Sequence, residues 1–245
     1  MQLVRRLPAA RRHGRDRRAA LGVAAVVAVL ALRNVAGDTT VPRAWYVPAN
    51  LGVGALAVAI AADRGVSARE LGLARAAAPR GLRLGGTLAL GVVAIVALAA
   101  ALPVARGFFE DQRVADIDGA GELAYEALVR IPVGTALFEE VAFRGVLLAL
   151  LARRLRVGAA VAASSVLFGL WHIRPTLSAL ETNDLAETGI EQAAAVAGAV
   201  VATTVAGVLF CGLRLASGSL LAPVLVHATI NASALVAAYL VVHPT

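Results

Sequence analysis

The stretch ALFEEVAFRGVLLALLARR, residues 136–154, sets Glu139, Glu140 and Arg144 inside an otherwise apolar run that ends in two arginines. A run of this kind reads as a membrane helix, and an ionised side chain in hydrocarbon is costly. A charge retained there has either a partner or a task. Glu140 and Arg144 are four residues apart, so they share a helix face and can form an ion pair. Pairing reduces the penalty of burying either charge. Glu139 points about 100° away from Glu140 around the helix, so Arg144 is not its natural partner. It needs another reason to be there.

The rest of the chain has the same oily character. Of its 245 residues, 59% are hydrophobic, above the roughly 45–50% of a globular protein. The apolar residues fall in long blocks separated by short charged segments, which predicts an all-α, polytopic integral membrane helix bundle. Seven helices are expected, at residues 19–36, 44–62, 84–105, 123–152, 157–173, 193–213 and 219–242. The fourth is longer than a bilayer needs, so a tilt, or a break near Pro132 and Gly134, is expected. Gly198, Ala202 and Ala206, spaced by four, suit close helix packing.

All 23 basic residues are arginine. They lie between the oily blocks and not along one polar face, which argues against a nucleic-acid partner and makes them topology signals. Seven precede the first helix, five fall in 63–83, three in RRLR (153–156), and Arg214 follows the sixth helix. The intervening loops are rich in acid. The positive-inside rule then places the N-terminus in the cytosol and the C-terminus outside, with the cell membrane as the expected location. Segment 1–18 reads as a basic cytosolic tail ahead of an uncleaved first helix. Segment 19–122 holds the N-terminal membrane helices and a basic cytosolic loop, where a short amphipathic helix on the membrane surface is expected. Segment 123–242 is expected to form a membrane core that carries the polar residues described next. The single cysteine, Cys211, excludes an intramolecular disulfide.

Three polar constellations remain inside the oil: Glu139, Glu140 and Arg144; Phe168 and His172 in FGLWH; and His227 and Asn231 in HATIN. Counted from the cytosolic arginines, Glu140, His172 and His227 lie at similar depths, roughly 20–24 Å at 1.5 Å per residue. Two glutamates, two histidines and an asparagine at one level form a hydrolytic set. A glutamate beside a histidine can act as general base on water, and a neutral histidine and an asparagine amide can donate to the oxyanion of a tetrahedral intermediate. Glu139, His172 and His227 could equally bind Zn2+ with the water as a further ligand. The residues leave both mechanisms open, so the cofactor is Zn2+ or none. Taken singly, each group also has a structural reading as interhelical glue; Phe168 and Trp171 read as packing.

These residues resemble the signature of the CPBP family of intramembrane proteases, which includes the type II CAAX prenyl endopeptidases and bacterial Abi proteins. The family pattern E-E-x-x-x-R, F-x-x-x-H, H-x-x-x-N appears in order as EEVAFR (139–144), FGLWH (168–172) and HATIN (227–231), each on a separate expected membrane helix. The resemblance implies that Glu139 activates the attacking water with help from His172, and that His227 and Asn231 stabilise the oxyanion. Glu140, Arg144 and Phe168 would support them. It also implies an endopeptidase acting on a peptide or membrane-protein substrate at or within the bilayer, with CAAX-type processing as one form of that activity. The chain lacks H-E-x-x-H, so it has no site-2-type zinc pair. Two other readings stand beside the protease: a non-catalytic scaffold or immunity-type protein with a structural polar cluster, and a carrier using the two glutamates. The oligomeric state is not legible.

Overall fold

Long alanine- and leucine-rich segments with few internal breakers build a helical bundle, and no strand occurs among the described residues. The computed structural model describes residues 9–186 and 188–243, and the side chains of all of these except 9–16 and 37–40. The helices are α1 (Ala9–Thr40), α2 (Tyr46–Asp63), α3 (Ala68–Leu71), α4 (Ala78–Ala101), α5 (119–152), α6 (Val157–Trp171), α7 (Ile173–Asn183), α8 (Gly189–Ser217) and α9 (Leu221–Val242). Among the described residues six helical stretches, formed by α1, α2, α3–α4, α6–α7, α8 and α9, are long and apolar enough to cross a membrane. The equally long α5 carries Glu126, Arg130, Glu139, Glu140 and Arg144 in its interior. With it, the seven expected segments are accounted for.

The boundaries depart from expectation in informative places. Of the expected tail, residues 1–8 lie outside the described residues, and α1 starts at Ala9, because alanine and arginine extend a helix readily beyond the oil. The expected break in α5 does not occur. Instead its turns widen to the π form over Glu126–Leu137 and Val141–Leu147, on either side of Glu139 and Glu140. A wide turn accommodates Pro132 inside the continuous helix, since the ring no longer meets an α-spaced carbonyl. Asn50 of α2 is buried and donates from Nδ2 to the Gly134 carbonyl at 2.8 Å, satisfying an acceptor of this irregular stretch.

The surface helix expected on the cytosolic side is the four-residue α3, and it does not lie free on the membrane. Ser67 and Glu70 form a capping box, and Gly72 ends the helix with φ 79°. Arg214 of α8 donates to the Glu70 carbonyl at 2.8 Å, while Arg153, just after α5, pairs with the Glu70 carboxylate at 2.8 Å. Arginines that read as topology signals thus also tie three helix ends together.

Apolar burial does not drive helix association in lipid, so close packing of small residues matters more. The expected stripe on α8 is on the wrong face: Gly198 and Ala202 are exposed, and nothing lies within 4 Å of a side chain built at Gly198. The close approach to α6 comes at Gly207, where an added Cβ would meet the Ser165 Cβ at 2.9 Å. On α4, Gly81 and Gly85 face α9, and a Cβ at Gly85 would lie 2.8 Å from the Ala222 backbone. Backbone cannot swing aside as a side chain can. Gly85→Ala is therefore expected to destabilise the bundle by about 1–3 kcal/mol, as overpacking does elsewhere, read as a lower melting temperature in detergent. An unchanged melt would show that α4 and α9 can separate freely. Outward residues such as Leu90, Ile95 and Leu98 on α4 are exposed and form part of the lipid-facing surface.

Candidate active site

The widened stretch of α5 carries the first part of the site. Glu140 and Arg144 meet as their spacing requires, with Arg144 Nη1 donating to Glu140 Oε1 at 2.9 Å, and both side chains fully buried. The Arg144 Nε and Nη2 make no hydrogen bond. The guanidinium instead lies over aromatic faces, 3.8 Å from the Phe168 ring centroid and 5.0 Å from that of Phe210. Aromatic faces stabilise a desolvated cation, which gives Phe168 a clear supporting role. Ser164 ties α6 to α5 by donating to the Phe143 carbonyl at 2.8 Å.

From α9, His227 inserts between the two glutamates. Its Nδ1 lies 2.9 Å from Glu140 Oε1, and its Nε2 lies 3.8 Å from Glu139 Oε2. An ionised carboxylate only accepts, so Nδ1 donates to Glu140 and the ring plane is set. Phe210 stacks on the imidazole at 5.1 Å between centroids, and Phe168 approaches it edge-on at 6.0 Å. Glu140 therefore joins Arg144 and His227 in a buried triad. Its observed contacts are those of a residue that orients His227.

Glu139 faces the other side, as its position on the helix requires. The Trp171 indole Nε1 donates to Glu139 Oε1 at 3.0 Å, while Oε2 is buried without a hydrogen bond. Sequence reading placed Trp171 among packing residues and missed this bond. Phe210 was missed as well, because the face a ring presents depends on how α8 packs.

The remaining motif residues sit at the margin. His172 is half-buried, and its Nδ1 lies 2.8 Å from the Phe168 carbonyl, which can only accept. Its Nδ1 is thus the donor, and in the neutral ring Nε2 is the acceptor. It makes no hydrogen bond to Glu139. Asn231, one turn beyond His227 on α9, is half-buried, and its side chain makes no hydrogen bond among the described residues. The structure thus brings Glu139, Glu140, Arg144, Phe168 and His227 together, with His172 beside Phe168 and Asn231 next along α9.

Among the described residues no three His, Cys, Asp or Glu side chains form a group able to hold a metal ion. Glu139, His172 and His227, the zinc ligand set that sequence reading left open, do not form such a group. A neighbouring apolar cavity of about 200 Å³ lies between α1, α5 and α6, lined in part by Val27, Leu30, Phe143, Leu147 and Trp171.

A family model for the type II CAAX prenyl endopeptidase, Rce1-like, matches residues 122–233. No curated protein matches the chain, and neither does any solved structure. The matched span runs from the start of α5 into α9 and contains every residue of the three motifs. Residues 122–233 of this integral membrane protein are thus similar to the type II CAAX prenyl endopeptidase Rce1-like family.

Proposed function

We propose that the chain is an intramembrane endopeptidase in which Glu139 is the general base, in a cell-membrane protein with its N-terminus in the cytosol and its C-terminus outside. The observation that carries this reading is the buried Glu139 carboxylate, held at Oε1 by Trp171, with Oε2 free of any hydrogen bond among the described residues and 3.8 Å from His227 Nε2. A water on Oε2 gives up a proton as its oxygen attacks the scissile carbonyl. A neutral His172 accepts a hydrogen bond from the same water at Nε2. The carbonyl oxygen becomes an oxyanion that accepts from the Asn231 amide and from His227 Nε2 when the ring carries both protons. Collapse breaks the C–N bond, and Glu139 returns its proton to the leaving amine. Glu140 and Arg144 act through His227 and touch no reacting atom. The substrate is a peptide or membrane protein presented at the bilayer, and a CAAX-type C-terminal peptide is the form the family supports.

The test is cleavage of a peptide library by the purified protein in detergent, comparing wild type with His227→Ala, each with and without a zinc chelator. Cleavage by wild type that survives chelation, and that falls about 10²–10³-fold in the variant, is the expected result, the size of a lost oxyanion donor. Chelator-sensitive cleavage would replace the glutamate base by metal-bound water. An inactive wild type whose His227→Ala variant is chiefly destabilised would turn the cluster into a structural scaffold.

A further inference from the structure

We propose that Trp171 is a positioning residue for Glu139, selecting which carboxylate oxygen receives the attacking water. The inference rests on the hydrolytic reading above and goes beyond its motif residues. Indole is a donor only, so its Nε1–H can bind Glu139 through Oε1, at 3.0 Å, and leaves Oε2 toward His227. A carboxylate on a three-torsion side chain would otherwise rotate between equivalent orientations, and a base that must meet a water and a carbonyl loses rate with each wrong orientation.

The indole is itself held on several sides. Phe138 and Phe143 of α5 pack against it at 5.8 and 5.9 Å between centroids. Its backbone carbonyl accepts from Asn34 Nδ2 of α1 at 3.0 Å. Trp171 also forms part of the wall of the apolar cavity, where Asn34 is a neighbour. A ring locked by packing, with its one polar atom on the catalytic carboxylate, is how a supporting group fixes a base. Position 171 also lies at the C-terminal end of α6, one residue before His172, so a single helix end delivers both groups.

Two substitutions separate positioning from packing. Trp171→Phe keeps an aromatic body and removes the donor. Trp171→His removes the benzo ring but keeps an N–H at the same place in the five-membered ring. Positioning predicts that Trp171→Phe lowers kcat about 10- to 100-fold with KM unchanged, the size of one hydrogen bond to an ionised group. It also predicts that Trp171→His retains more kcat than Trp171→Phe. A packing role predicts the reverse order, because phenylalanine fills more of the space.

The bond itself is read without activity. The chain has two tryptophans, Trp45 and Trp171, and Trp45 is exposed. In a Trp45→Phe background with ¹⁵N-labelled indole, one indole N–H signal remains. Its proton is expected to move upfield in Glu139→Leu, which removes the acceptor. An unmoved signal overturns the proposal whatever the kinetics show. A signal that moves while Trp171→Phe keeps wild-type kcat also overturns it, since the bond then orients nothing. If wild type cleaves no peptide, the hydrolytic reading fails and the proposal falls with it, a result distinct from an unmoved indole.

Discussion

Glutamine in place of Glu139 is expected to lower peptide cleavage by about 10²–10⁴-fold, the contribution of a positioned general base. The melting temperature is expected to stay within a few degrees of wild type. Glutamine has nearly the same shape, and its amide oxygen can still accept from the Trp171 indole. It cannot take a proton from water. Loss of rate without loss of fold is therefore the signature of a base at this position, in a site where the carboxylate is buried against His227. Initial rates on a peptide cleaved by wild type, with thermal melts on the same preparations, decide the matter. A Glu139→Gln enzyme working near the wild-type rate would remove Glu139 from the chemistry.

The second large effect is on stability. Arg144→Met is expected to cost about 3–5 kcal/mol, because it strips a fully buried carboxylate of its cation. Methionine fills much of the same volume against Phe168 and Phe210, so the loss reflects charge more than a cavity. Combining it with Glu140→Gln is expected to recover most of the stability, since the orphaned charge is then gone; the two sites couple and their effects do not add. Unfolding in detergent measures all three variants. If Arg144→Met unfolds like wild type, the pair does not hold α5 in place. The double variant should nevertheless cleave poorly, because His227 would no longer have an ionised carboxylate to set its ring.

Much of this was legible in the sequence because it depends on short spacings along one helix. Four residues between Glu140 and Arg144 place them on one face whatever the surroundings, and the pair forms at 2.9 Å. Counting 1.5 Å per residue from the arginines expected in the cytosol put Glu140, His172 and His227 at one depth; Glu140 and His227 are in contact, while His172 is bonded to the Phe168 carbonyl. The packing stripe failed for the complementary reason. Gly198, Ala202 and Ala206 are correctly spaced, but spacing does not say which face of α8 meets a neighbour, and that face runs through Gly207. Pro132 misled in a similar way: proline breaks an α-helix, and the widened turns of α5 escape the rule.

The sequence by itself determined the helical membrane architecture, the residues of the three motifs and the ion pair of α5. All are consequences of apolar run length, arginine placement and helical period. Only the tertiary structure decided which motif residues meet. His227 lies between the glutamates because Gly81 and Gly85 let α4 sit against α9, and because Phe210 and Phe168 confine its ring. Trp171 reaches Glu139 because the end of α6 packs beside α5, and Glu140 is turned toward His227 and Arg144 while Glu139 retains a free oxygen. Spacing along a helix is a local property written into the chain. Which carboxylate meets which nitrogen depends on the rotation and approach of four separate helices, and those are settled only when all of them pack at once.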